Sequence, residues 1–213
     1  MTTETAKLVW ATPDAEKLLA YIARVSNPKN QDNPDFSGLI RYCIKHQHWS
    51  PFEMVSAVVE INTTRDIGRQ ILRHRSFSFQ EFSQRYAEVC NAKEAPLREA
   101  RLQDTTNRQN SLGTDDDELK VWWVTAQEEL RNVSEHLYRV ALEKGIAKEQ
   151  ARVLLPEGLT PTRMYMSGTL RSWIHYINLR TGPETQKEHR EVAQACEDVL
   201  KPVFPTVWEA LRA

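Results

Sequence analysis

The chain has 213 residues, with 28 Lys+Arg against 29 Asp+Glu and a formal net charge of −1; 40% of residues are hydrophobic and 27% charged. That length can bury a sizeable core within one domain, and the near-neutral balance argues against a protein that coats nucleic acid or an acidic membrane face. No run approaches the ~18 apolar residues of a membrane span, and the first ten residues carry Glu4 and Lys7 without an apolar signal core.

Seven glycines and six tryptophans favour helices over tight hairpins. Residues 7–11 are a short strand candidate. Over 14–25, Leu18, Leu19, Ile22 and Val25 recur at helical spacing. The stretch 27–34, NPKNQDNP, is a polar turn rich in breakers. A second helix is expected from 35 to about 46, with Leu39, Tyr42 and Cys43 facing inward. Residues 54–61 are β-branched and partly alternate (Val55, Ala57, Val59, Ile61), the pattern of a strand. Thr64 then caps a helix through Arg73 that buries Ile67, Ile71 and Leu72. Residues 85–89 are a further strand candidate, and 91–113 read as a polar, irregular excursion. Thr114, followed by Asp115, Asp116, Asp117 and Glu118, marks a helix start with acids at the positive end of the dipole. That helix continues through Leu119, Trp122, Trp123, Ala126, Leu130, Val133, Leu137 and Ala141, an apolar stripe read as core packing, and stops near Gly145. A short helix over 148–155, a strand over 162–169, a helix over 170–179 and two closing helices complete the chain. The order predicts a single domain, 1–213, of α+β class: mixed helices with a central antiparallel or mixed sheet, and no doubly wound alternation.

The neutral total hides a local excess. Between residues 65 and 86, Arg65, Arg69, Arg73, Arg75 and Arg85 face only Asp66 and Glu81. Arg65, Arg69 and Arg73 fall at i, i+4 and i+8, which would align three guanidinium groups on one helix face. Gln70, His74, Ser76, Ser78, Gln80 and Ser83 are interleaved with them. Arginine forks bind phosphate bidentately, and hydroxyls and amides complete a shell around phosphate and base. Ser83 and Arg85, two apart, would point at one ligand from an extended backbone. The alternative is a solvated cationic face that pairs with Asp115–Glu118 or with another subunit.

The run Arg73-His74-Arg75 to Ser83-Gln84-Arg85-Tyr86 resembles the signature of flavin-dependent thymidylate synthases: RHR, seven residues, then Ser, continuing to Arg-Tyr. Gln80 stands where that family often has Asn. The resemblance extends to His48-Trp49-Ser50-Pro51-Phe52-Glu53, to Ala151-Arg152-Val153-Leu154-Leu155-Pro156, to 170–180 and to Gln186-Lys187-Glu188, in the family's order over roughly residues 40–190. It implies the family's fold. It also implies transfer of a one-carbon unit from methylenetetrahydrofolate to dUMP, giving dTMP, with FAD as cofactor and NADPH as reductant. A homotetramer with active sites at subunit interfaces is implied as well; the expectation of a cytoplasmic protein without nucleic-acid or membrane partner comes from the thiols and the charge balance.

By the same resemblance Gln70, Arg73, Glu81, Ser83, Arg85, Arg152 and Arg180 match positions that bind dUMP, and Arg180 is the arginine that polarises the uracil ring. Ser50, Arg73, His74, Arg75, Glu81, Thr169, Arg171 and His175 match FAD-contacting positions, Thr169 and His175 standing where the family often has Asn. Independently of it, Arg171, His175 and Asn178 form a polar face on an otherwise apolar helix. His46 and His48 could ligate a metal, but no acidic or thiolate partners stand at a known spacing, so no metal is expected. Trp122 and Trp123 read as core or subunit packing. Cys43, Cys90 and Cys196, odd in number and without a CxxC pair, read as reduced, buried cytosolic thiols, not as nucleophiles. Two other functions fit the same residues: a related enzyme making hydroxymethyl-dUMP, and a non-catalytic nucleotide- or RNA-binding protein.

Overall fold

Alternating apolar residues build the centre of the molecule. The computed structural model describes residues 4–89 and 95–212. In chain order it contains β1 (Ala6–Ala11), α1 (Ala15–Ala23), α2 (Ser37–Lys45), β2 (Ser56–Thr64), α3 (Arg65–Ile71) and β3 (Ser78–Glu81). A small hairpin of β4 (Arg101–Gln103) and β5 (Ser111–Gly113) precedes the long α4 (Asp117–Glu143) and the one-turn α5 (Lys148–Ala151). β6 (Pro161–Thr169), α6 (Leu170–Arg180), α7 (Lys187–Leu200) and α8 (Pro205–Arg212) follow.

The main sheet has the order β1-β2-β6-β3, and every ladder among the described residues is antiparallel. β2 and β6 pair over their full length, from Ser56 opposite Thr169 to Thr64 opposite Pro161. Ala57, Val59 and Ile61 of β2 and Met164 and Met166 of β6 are fully buried on one face, as a period of two requires. Against that face pack Ile67 and Ile71 of α3, Leu170, Trp173 and Tyr176 of α6, and Ala193, Cys196 and Leu200 of α7. The indole N–H of Trp173 donates to Ala57 O at 3.2 Å, so its one polar group is satisfied inside the core.

Several expectations are corrected. Residues 85–89 are not a strand: Tyr86 and Ala87 N–H groups both donate to Ser83 O at 3.1 Å and close a turn. The strand of this region is β3, which pairs with the edge of β6. Part of 91–113 is the β4–β5 hairpin; residues 90–94, Cys90 among them, lie outside the described residues. On α2 the inward residues are Ile40, Cys43 and Ile44, whereas Tyr42 is exposed, as are Val25 after α1 and Leu72 after α3. Thr64 is the N-cap residue of α3, as expected, but its hydroxyl donates to Asp66 at 2.6 Å and makes no cap hydrogen bond. The cap of α4 is Asp116, which accepts from Leu119 N–H at 3.0 Å, two residues later than Thr114.

The largest correction concerns α4. Its buried residues are polar ones plus an aromatic, Gln127, Arg131, Ser134 and Tyr138. Gln127 exchanges two 2.9 Å hydrogen bonds with the backbone of Arg98, and Arg131 donates to Ala95 O. The segment beneath α4 has no sheet partner for its backbone, so polar side chains supply one. The apolar stripe is only partly covered by this chain: Trp122 is 61% exposed, Leu130 51% and Val133 57%, while Leu119, Trp123, Ala126 and Ala141 are half-buried.

Gly168 of β6 sits under Phe77, and a β-carbon there would overlap the Phe77 ring. Phe77 packs edge-on against Trp173 at 4.9 Å, so it has no room to yield. Gly168→Ala should lower stability by about 1–3 kcal/mol, read as a lower urea midpoint; an unchanged midpoint would show that the ring can move aside.

Candidate active site

Strand β2 runs directly into α3, and β6 runs directly into α6. α3 ends at Ile71, and the turn after it carries Arg73, His74 and Arg75, with Arg73 and Arg75 exposed and His74 half-buried. Phe77 anchors that turn in the core, and Ser172 Oγ of α6 donates to Ser76 O at 3.3 Å.

Arg180, the last residue of α6, meets this turn. Its Nε donates to His74 Nε2 at 2.9 Å, across 106 positions of sequence. The acceptor nitrogen must be unprotonated, so His74 is the neutral imidazole with its proton on Nδ1. Burial, then the charge of Arg180, then His175 hold the His74 pKa down at about 4. The His74 ring also stands edge-on to Tyr176, with centroids 4.9 Å apart. With Nε engaged, the two terminal nitrogens of Arg180 donate to no other described residue and remain available for a ligand.

Behind this pair lies a polar group inside the core. His189 of α7 is completely buried; its Nε2 contacts Tyr176 OH and its Nδ1 contacts Gln70 Oε1, each at 3.2 Å. Gln70 Nε2 donates to Gln186 Oε1 at 2.8 Å, and Gln186 Nε2 donates to Glu188 at 2.9 Å. Glu188 is held in turn by Arg101 of β4. Burial alone would raise the Glu188 pKa, but hydrogen bonds from Arg101, its own backbone N–H and Gln186 outweigh this and lower it.

A second cluster forms where β6 becomes α6. Thr169 caps the helix by accepting from Ser172 N–H, and its hydroxyl donates to Glu53 at 2.8 Å. Arg171 reaches the other oxygen of Glu53, also at 2.8 Å. Ser50 begins the same short helical turn as Glu53, and His175 lies one turn beyond Arg171 on the exposed face of α6. Sequence reasoning left Glu53 out of the candidate set; its place one turn after Ser50 was the available signal.

The remaining predicted residues sit elsewhere. Glu81 accepts from Thr162 Oγ1 at 2.8 Å and pairs with Arg65 at 3.3 Å. Arg85 pairs with Glu149 at 3.4 Å, and Arg152 Nε donates to Glu149 O, so these two arginines converge at α5. Ser83 heads the turn before Arg85, so the two do not project from an extended backbone. Nor do Arg65, Arg69 and Arg73 form one phosphate-binding face. Arg65 pairs with Glu81, Arg69 pairs with Glu157 at 2.5 Å, and Arg73 lies past the helix end. The acids that answer these arginines are Glu81, Glu149 and Glu157, whereas in the acidic helix start Asp117 pairs with Lys120.

Two cavities, of about 720 and 890 Å³, lie beside the β4–β5 hairpin and beneath residues 95–99, and neither is lined by a predicted site residue. Among the described residues no cluster of His, Cys, Asp and Glu could hold a metal ion, and no helix is long and apolar enough to cross a membrane. Cys43 and Cys196 are buried free thiols, both with pKa raised by burial, so neither is an activated nucleophile.

An antiparallel sheet crossed by helices that deliver RHR and a distant arginine to one point defines a class, and comparison with known proteins gives its name. The chain belongs to the family described as Thymidylate synthase complementing protein, which matches residues 7–206. It is 53% identical over 208 residues to the probable flavin-dependent thymidylate synthase of Paramecium bursaria Chlorella virus 1, covering 97% of this chain and 95% of that one. It is 55% identical over 196 residues to the flavin-dependent thymidylate synthase of Synechocystis, covering 92% and 89%. Among solved structures, the UMP/dUMP methylase PolB from Streptomyces cacaoi bound with 5-Br dUMP superimposes with a TM-score of 0.84 at 28% identity, covering 98% of this chain and 94% of that one.

The buried histidines set a pH dependence. Burial, Arg180 and His74 push the His189 pKa down to about 3, against 6.5 for a free imidazole. The unfolded chain therefore takes up a proton below pH 6.5 that the folded chain refuses. The neutral ring costs nothing above pH 6.5, and stability falls as the pH drops from there toward 3, by about 1 kcal/mol per pH unit for His189. Urea unfolding at pH 7, 6 and 5 should show this slope, reduced in His189→Asn; the same slope in both proteins would contradict it.

Proposed function

We propose that this chain transfers a one-carbon unit from methylenetetrahydrofolate to dUMP and reduces it to give dTMP, with FAD as its flavin and NADPH as the reductant. The observation that carries the reading is the Arg180–His74 pair, in a chain that belongs to this family over nearly its whole length. The flavin, when bound, supplies the redox chemistry. The donor set fits such a dinucleotide: Arg73 and Arg75 are exposed guanidinium groups without a carboxylate partner among the described residues, suited to its phosphates. Ser50, Thr169, Arg171 and His175 add hydroxyl, guanidinium and imidazole donors around Glu53.

Arg180 lies against the uracil. Its free terminal nitrogens stabilise negative charge developing on the ring carbonyls and N3, which makes C5 a better nucleophile. Neutral His74 holds the guanidinium by Nε without adding a competing positive charge. Gln70 and Ser83 bind the nucleotide by hydrogen bonds, and Arg85 and Arg152 hold its phosphate. Glu81, fixed by Arg65 and Thr162, stands between nucleotide and flavin.

The enzyme acts as a cytoplasmic homotetramer of single-domain chains with active sites at subunit interfaces. Two observations support this. The proposed residues occupy separate patches of one chain, around His74, Glu53, Glu81 and Glu149, and line neither of the two cavities described above. The apolar stripe of α4 is exposed on one chain and needs a cover.

The purified protein should be yellow and should convert dUMP to dTMP while oxidising NADPH in the presence of methylenetetrahydrofolate. A colourless protein without turnover, or a product heavier by one oxygen, would overturn the assignment. Arg180→Ala should lower turnover on the order of 10²-fold with the flavin retained; wild-type turnover would remove its role. Leu130→Glu with Val133→Glu should yield smaller species in sedimentation velocity, and an intact tetramer would contradict the α4 interface.

A further inference from the structure

Gln70 has polar protein partners at both ends of its amide, and their order is fixed from outside. At one end of the chain of hydrogen bonds, Glu188 is an ionised carboxylate paired with Arg101 and can only accept. Gln186 therefore turns its NH₂ toward Glu188 and its carbonyl toward Gln70, which must answer with its own NH₂. At the other end, the Tyr176 hydroxyl is fully buried in the core and has His189 Nε2 as its partner. It donates there, which leaves the proton of the neutral ring on Nδ1, facing Gln70 Oε1. Both ends demand the same amide orientation. Gln70 keeps one N–H and one carbonyl lone pair for anything outside the protein.

We propose that His189 is a positioning residue for substrate recognition: by donating from Nδ1 to Gln70 Oε1, it fixes which edge of the Gln70 amide faces the pyrimidine nucleotide. This rests on the reading of Gln70 as a dUMP contact. An amide held by one partner flips between two orientations that present donor and acceptor in exchanged places. One held at both ends presents a single pattern, and the pyrimidine edge that matches it binds without an ordering cost. Packing alone does not account for His189, since a hydrocarbon of similar volume would fill the same place without the need to satisfy two ring nitrogens.

The two amide residues separate the ring's two contacts. The side-chain nitrogen of Asn lies where Nδ1 lies in His, and the terminal amide of Gln reaches the place of Nε2. His189→Asn therefore keeps the donor to Gln70, whereas His189→Gln loses it and keeps only a contact to Tyr176, whose hydroxyl donates to the amide carbonyl. The test is dUMP affinity by titration calorimetry on the flavin-loaded protein for wild type, Gln70→Ala, His189→Asn, His189→Gln and the Gln70→Ala/His189→Gln double variant. We expect wild-type affinity in His189→Asn and a loss of about fivefold in His189→Gln, the size of one hydrogen bond. The His189→Gln loss should vanish in the Gln70→Ala background, because the residue it acts through is gone. Equal losses in the Asn and Gln variants, or a Gln loss that persists without Gln70, would overturn the positioning role and leave His189 as packing. Unchanged affinity in Gln70→Ala would instead overturn the reading of Gln70 itself, and the proposal with it.

Discussion

The pairing of β2 with β6 is the constraint from which the site follows. Both are nine-residue strands joined in one antiparallel register, and each passes without a loop into a helix, β2 into α3 at Thr64 and β6 into α6 at Thr169. Because the strands are antiparallel, those helices start at opposite ends of the sheet and run back over the same buried face. The end of α3 and the end of α6 can therefore meet, and His74 touches Arg180 although 106 positions separate them. A slip of one residue would turn Ala57, Val59, Ile61, Met164 and Met166 out of the core and separate the two helix ends.

The frame keeps two histidines, His74 and His189, neutral. His74 and His189 lie where protonation is costly, so they serve as fixed hydrogen-bond partners over the physiological range. Arg73, Arg75, Arg85 and Arg152 lie exposed at the surface, where a guanidinium charge costs little. Cys43 and Cys196 are buried thiols whose pKa burial raises, the opposite of an activated nucleophile.

Much of this frame was legible in the residues. β2 announced itself by partial alternation, a strand was expected over 162–169 where β6 lies, and the RHR run with its downstream Ser, Arg and Tyr carried the family. β3 was not legible, because four residues, SFQE, form a strand only where the open edge of β6 offers them partners. The stripe on α4 shows the limit of periodicity. It marked an apolar face and read it as core, but periodicity carries no information on whether this chain covers that face. The fates of the arginines were hidden for a related reason, since Glu149 and Glu157 reach Arg85 and Arg69 only through the fold. His189 and Tyr176 had no pattern to mark them; what distinguishes them is burial with both polar ends satisfied.

If, as proposed, one chain does not hold a complete site, Arg180 works on a nucleotide that is held by Arg85 of another copy. Mixing two inactive variants, Arg180→Ala and Arg85→Ala, under conditions that let subunits exchange tests this directly. Hybrid assemblies bring an intact Arg180 and an intact Arg85 to the same site, so the account predicts that dTMP formation returns in the mixture. Activity no higher than in either parent, with hybrids present, would contradict it.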